Sequence, residues 1–148
     1  MAATVAQVKS VVMGRAGRQL ALVGLGDADL DDPIRSALGS LGLAPAGLAP
    51  VADADLAAVG PAMLAALVDL AELRALESVL GNWTEPDQVA DTDNSQALGK
   101  LRDSLEKTVA RKRLQVERAY GIGLPELAAG VLDLGFAETV DPATGWPR

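Results

Sequence analysis

The stretch PAMLAALVDLAELRALESVL, residues 61–80, is the most informative part of this chain about its fold. It opens with a proline, which suits the first position of a helix, and Gly81 and Asn82 after it are typical of a helix end. Its leucines recur every three positions, at Leu64, Leu67, Leu70, Leu73 and Leu76. Because an α-helix has 3.6 residues per turn, this step drifts around the helix. We therefore predict a helix buried on more than one side, either centrally or at a contact between subunits.

A second long helix is predicted from about residue 95 to Tyr120. Asn94 or Ser95 offers a side-chain cap at its start, and Gly121 follows its end. Its inward positions form a nearly heptad stripe that includes one lysine: Leu98, Leu101, Leu105, Val109, Lys112 and Val116. The polar segment 82–95 joins the two helices, so the sequence predicts an antiparallel αα-hairpin.

Shorter helices are predicted before this hairpin. Val5, Val8 and Val12 have helical spacing and indicate a first helix to about Leu22. A strand over residues 20–25 stays open as an alternative. Asp32 is expected to cap a helix that starts at Pro33 and ends near Leu41. After a loop over residues 42–50, Asp53 is expected to cap one more turn over residues 54–59.

The predicted fold is therefore all-α, a small helical bundle built on the antiparallel pair 61–80 and 95–120. A last short helix is expected from Pro125 to Leu134, which gives a single helical domain over residues 1–135. Residues 136–148 are expected to form an extended C-terminal tail, because the Asp141-Pro142 and Trp146-Pro147 pairs disfavour helix. The side chains predicted to be buried in the hairpin are Leu67, Leu70, Leu73, Leu101 and Leu105.

The composition excludes several kinds of catalytic and metal-binding site. The 148 residues include no cysteine and no histidine, which excludes disulfides, thiolate and imidazole metal sites and nucleophiles that depend on either residue. Aromatic residues make up only 3%, which argues against base stacking. We expect a structural or interaction protein, with no enzymatic activity, no metal and no cofactor.

Three short motifs resemble ligand sites but fit turns and helix caps better. The segment VGLGD at 23–27 lacks the third glycine of a dinucleotide fingerprint. The segments DADLDD at 27–32 and DTDN at 91–94 lack the glycine and the glutamate that a calcium loop requires. A pair of carboxylates for acid–base catalysis is not excluded by sequence, but no acidic residue has neighbours that predict a raised pKa.

Charge is concentrated on the second long helix. Between Lys100 and Arg118 seven basic residues stand against three acidic ones, a net +4 within a chain of net −7, which leaves −11 for the remaining residues. One interpretation is a solvated face with the i,i+4 pairs Asp103–Lys107 and Arg113–Glu117. The other is a surface for an acidic partner subunit or for DNA phosphate. The candidate residues are Arg111, Lys112, Arg113 and Arg118.

These four cations cannot all share one role, because consecutive helical residues point about 100° apart. Lys112 lies nearest the apolar stripe and is expected to extend along it or to form a pair at an interface. Arg111 and Arg118 are seven residues apart, share one face and are expected to act together. In the tail, Phe136 and Trp146 are the candidate contacts with other chains.

No targeting or membrane signal stands out. The N-terminal segment has no apolar run of signal-peptide length, and no segment reaches the roughly 18–20 apolar residues of a membrane span. We expect a soluble protein that the general secretory route does not export.

Residues 28–121 resemble the head–tail connector (adaptor) proteins of tailed bacteriophages. The similarity is carried by DLDDPIRSAL, by DADLAAV and, most specifically, by LAELRALESVLGNW and LEKTVARKRLQVERAYG. The resemblance implies a helical bundle that forms a homo-oligomeric ring, twelve copies in the family, beneath the portal protein. It implies a channel that DNA crosses without sequence specificity, and a C-terminal tail that reaches a neighbouring ring, either a tail or a stopper protein.

The function expected from this resemblance is that of a structural virion protein in the phage neck, made in the host cytoplasm, with no membrane partner. The alternative from another class is a helical interaction module or small regulator that acts as a dimer through the leucine-rich helix. The mass of the native particle separates a ring from a dimer.

Overall fold

A computed structural model describes residues 3–43, 50–83 and 92–122, with the backbone alone for residues 92–97. These residues confirm the all-α fold, since they form helices and contain no strand. The α-helices are α1 (Val5–Leu22), α2 (Asp31–Ser40), α3 (Pro61–Gly81) and α4 (Thr92–Tyr120), and two 3₁₀ turns cover Asp27–Leu30 and Asp53–Leu56.

Helix α3 lies at the centre and packs against α1, α2 and α4. The leucines drift around α3 because each of the three neighbouring helices covers a different side of it. Leu67, Leu70 and Leu73 are fully buried, as predicted. The sequence allowed either a central position or a contact between subunits for this helix. Within the described part of the chain, the helix is central.

Helix α1 begins at a capping box, in which Thr4 and Gln7 each accept a hydrogen bond from the other's backbone N–H. Its buried positions continue at helical spacing to Leu20, so the strand considered for residues 20–25 does not form. The carboxylate of Asp53 accepts a hydrogen bond of 2.7 Å from the Val5 backbone N–H and ties the 3₁₀ turn to the start of α1.

The predicted caps Asp32 and Asp53 are both wrong, because a 3₁₀ turn forms at each site. At both sites the sequence DADL forms a 3₁₀ turn, and it is the third residue of that turn, Asp29 or Asp55, that caps the backbone N–H of Gly26 or Ala52. Helix α2 follows its turn directly and begins at Asp31, which puts Pro33 at the third helical position. That position tolerates proline, because the first four N–H groups of a helix have no partner within it.

Helix α4 runs antiparallel to α3, as the sequence predicts. The Tyr120 hydroxyl donates to Asp69, and the Arg113 guanidinium donates to Glu77, so rising numbers on α4 meet falling numbers on α3. Gly121 ends α4 with φ of +63°, a left-handed conformation that suits glycine.

The apolar side of α4 is only partly as predicted. Leu105, Val109 and Val116 are buried, but the prediction for Leu101 is wrong, since 40% of it is exposed. The two cross-helix pairs put the end of α3 level with Val109, so Leu101 lies about two turns beyond the α3 surface. Most of the loops 42–50 and 82–95, the helix expected at 125–134 and the tail 136–148 fall outside the described residues.

Candidate functional site

Lys112 and its neighbours form a charged cluster that joins three helices. The Lys112 Nζ atom on α4 lies 3.3 Å from Oδ1 of Asp69 and 2.9 Å from Oε2 of Glu72, both on α3. Arg15 on α1 contacts the same two carboxylate oxygens at 2.9 and 3.1 Å. Tyr120 completes the cluster with a hydrogen bond of 2.6 Å to Oδ2 of Asp69. Lys112 therefore forms a pair inside the subunit.

The electrostatics of this cluster favour its charged form. Partial burial raises the pKa of Asp69, but hydrogen bonds from Tyr120, Lys112 and Arg15, together with the charge of Lys112, outweigh it and leave that pKa below its usual value. The hydrogen bond to Asp69 also raises the pKa of the Tyr120 hydroxyl. The pKa of Arg15 is raised, chiefly by its hydrogen bond to Glu72.

Arg113 is also occupied within the subunit. It pairs with Glu77 on α3, and Arg74 holds the other oxygen of that carboxylate at 2.8 Å. Arg113 makes this contact with Glu77 on the central helix instead of the i,i+4 pair with Glu117 that the sequence predicts. The pair Asp103–Lys107 is likewise not among the ion pairs of the described residues, where α4 has an internal pair between Arg102 and Glu106 at 3.1 Å.

Arg111 and Arg118 both point to solvent, as their shared face predicts. Two further cations lie on that face. At 100° per residue, all four positions fall within about 40° of one another, and all four side chains are exposed. We call this set the basic face: Lys100, Lys107, Arg111 and Arg118.

The basic face lies opposite the apolar stripe of α4, so the packing of α4 on α3 turns it outward. Its ends are 18 residues apart, which corresponds to about 27 Å along the helix. No described ion pair joins its four members to a carboxylate. The acidic residues of α4 lie to one side of it, about 60–120° away around the helix: Asp103, Glu106 and Glu117.

Lys100 and Lys107 of the basic face are not among the four candidate residues predicted from the sequence. The signal that finds them was present, because the spacing 100, 107, 111, 118 repeats the 7-4-7 pattern of one helical face. Of the four candidates Arg111, Lys112, Arg113 and Arg118, the fold pairs Lys112 and Arg113 with carboxylates of α3.

Comparison of the chain with protein-family models, with curated proteins and with solved structures found no match.

A row of cations about 27 Å long suits an extended polyanion. Electrostatic contacts with successive phosphates need no particular base sequence, and each contact releases counterions. The densest acidic segment of the chain, DADLDD at residues 27–32, is not a free partner for this row in another subunit, since Asp31 within it already pairs with Lys9 at 3.3 Å.

Other site types find no support in the described ranges. No group of three or more acidic side chains there is arranged to hold a metal ion, and none of the helices there is long and apolar enough to cross a membrane. Asp29 lies at the 3₁₀ turn where it caps a backbone N–H, while Asp91 of the DTDN segment lies outside the described residues. Phe136 and Trp146, the candidate tail contacts, also lie outside them.

Proposed function

We propose that this chain is a structural virion protein, a head–tail connector (adaptor) whose ring joins the portal to the tail of a bacteriophage. The basic face of α4 carries this proposal. In the ring, each copy would present that face to the DNA channel, and the cations of all copies would surround the duplex without reading its sequence.

The distribution of charge supports this placement. The segment 100–118 has a net +4 and the remaining chain has −11. Carboxylates of α3 pair with Lys112 and Arg113, so the charge available to DNA phosphate is that of the exposed basic face. The internal pairs of Lys112 and Arg113 fix the rotation of α4 about its axis. They thereby hold the basic face outward while taking no part in DNA contact.

The alternative, a dimer through the leucine-rich helix, has less support from the described residues. That hypothesis depended on an apolar side of α3 left for a second copy. In the described chain α1, α2 and α4 cover Leu67, Leu70, Leu73 and Leu76 instead, and Leu64 is half-buried. The exposed residues of α3 are small ones near its ends, such as Pro61, Ala62 and Ala65.

The experiment that tests the function is a charge reversal on the basic face. We expect Arg111→Glu with Arg118→Glu to leave ring formation intact and to weaken retention of DNA in filled heads. In purified rings, a plot of log affinity for duplex DNA against log salt concentration has a negative slope. This slope should become shallower by about 2 for each subunit in contact. Native mass measurement reports the assembly and a DNA titration reports the slope.

Arg18→Glu is the control, since Arg18 is exposed on α1 and lies outside the basic face. It should change neither the salt slope nor the particle mass. Loss of the ring in the double variant would assign Arg111 and Arg118 to a subunit seam. Normal assembly with normal DNA retention would remove the basic face from the mechanism.

The tail provides a second test of the connector role. Deleting residues 137–148 should leave the circular dichroism and the melting of the bundle unchanged while weakening attachment to the neighbouring neck protein, because this segment is expected to serve other chains. Sedimentation of the mixed neck proteins measures the attachment. Normal attachment of the shortened chain would contradict the tail's proposed role.

A further inference from the structure

An open groove runs between α1 and α3 beyond the end of α4. Its volume is about 300 Å³, and its walls are mostly apolar: Val11, Pro61, Leu64, Ala65 and Val68. Arg15 and Asp69 form its polar end. Val11 on the groove wall is 43% exposed. The groove therefore leaves apolar surface of both helices in contact with water.

Helix α4 ends at the polar end of this groove. Its last residue, Tyr120, donates its hydroxyl hydrogen bond to Asp69, which lines the groove. Because α4 runs antiparallel to α3, it approaches the half of α3 that forms the groove wall. Ile122, the last described residue, packs against the core, so the chain stays on the bundle at this point.

The next part of the sequence matches the groove in character and length. Leucines and a valine follow at the spacing of one helical face: Leu124, Leu127, Val131 and Leu134. The helix expected from Pro125 to Leu134 carries the last three of them over about 10 Å, while the groove wall from Pro61 to Asp69 extends about 12 Å.

We propose that residues 124–134 of the same chain fill this groove with their apolar face. The tether favours the chain's own segment over that of another copy, because Leu124 follows Ile122 by only two residues and its effective concentration at the groove is high. Filling the groove buries Val11 and Leu64 and leaves residues 137–148 available for other chains. This inference is independent of the role in a virion.

The test is disulfide trapping in the full-length chain, which contains no native cysteine. Ala65→Cys places a thiol on the exposed wall of the groove. It is combined in turn with Leu124→Cys, Leu127→Cys, Ala128→Cys and Val131→Cys. A disulfide forms only where the two β-carbons approach within about 4.5 Å. Mild oxidation is followed by non-reducing electrophoresis and intact mass.

We expect a disulfide within one chain for at least one of these pairs, formed at least about tenfold faster than in the control. The control replaces Ala65→Cys by Ala110→Cys, which is exposed on α4 away from the groove. Because both positions are exposed alanines, neither change should affect folding. Equal rates for the two series, or disulfides that form only between chains, would overturn the proposal.

Discussion

Replacing Leu70 by alanine is expected to lower the free energy of unfolding by about 2–5 kcal/mol. Leu70 is fully buried in the middle of α3, the helix on which α1, α2 and α4 pack. The smaller side chain would leave a cavity that the three neighbouring helices cannot close together. Urea unfolding followed by circular dichroism measures the change.

Leu114→Ala is the matched control, because it removes the same atoms from a side chain that is 52% exposed. Its cost should stay within about 0.5 kcal/mol. A loss below about 1 kcal/mol for Leu70→Ala would mean that this face of α3 is not the core.

Replacing Asp69 by asparagine is expected to cost about 1–3 kcal/mol. The variant keeps the shape of the side chain but removes the charge that Arg15 and Lys112 share, and it weakens the bond from the Tyr120 hydroxyl. Asp103→Asn, an exposed position on α4, should cost less than about 0.5 kcal/mol. Equal costs for the two variants would contradict a stabilising role for the cluster.

Tyr120 provides a direct reading of the same contact, because it is the only tyrosine in the chain. Its pKa is raised by the hydrogen bond to Asp69, by partial burial and by the charge of that carboxylate. In Asp69→Asn the pKa of Tyr120 should fall toward its ordinary value of 10.0. Absorbance of the tyrosinate during an alkaline titration measures it, with Asp103→Asn again as the unchanged control.

The cluster also predicts how the attachment of α4 depends on pH. The pKa of Asp69 is lowered in the fold, so its contribution is present above its unfolded pKa near 3.8 and is lost as pH falls below that value. The pKa of Tyr120 is raised, so its contribution is lost as pH rises above about 10. Between these limits the contribution of the two groups should be flat.

These contacts also connect stability with the proposed function. Lys112 and Arg113 hold α4 on α3 through Asp69, Glu72 and Glu77, and this fixes the direction in which Arg111 and Arg118 point.

The helices and several of their ends could be predicted from the sequence, but the start of α4 could not: it begins at Thr92, so the prediction of a start near residue 95 with a cap at Asn94 or Ser95 is wrong. Pro61, the turn after Gly81 and the left-handed Gly121 act through their own backbone, so they can be read without knowledge of the fold. The apolar periodicity predicted the burial of Leu67, Leu70 and Leu73 because one chain segment carries the whole pattern. The periodicity did not reveal that Leu101 of α4 lies beyond the end of α3. How far one helix is shifted along another depends on both segments together.

Which cations are available to a partner depends on how the helices pack. Arg111, Lys112 and Arg113 are adjacent and chemically alike, and nothing local distinguishes them. Their roles differ because Asp69, Glu72 and Glu77, at least 36 residues away in sequence, lie beside two of them and not beside the third. A salt bridge between helices depends on the rotation and offset of both, and the whole core sets these quantities.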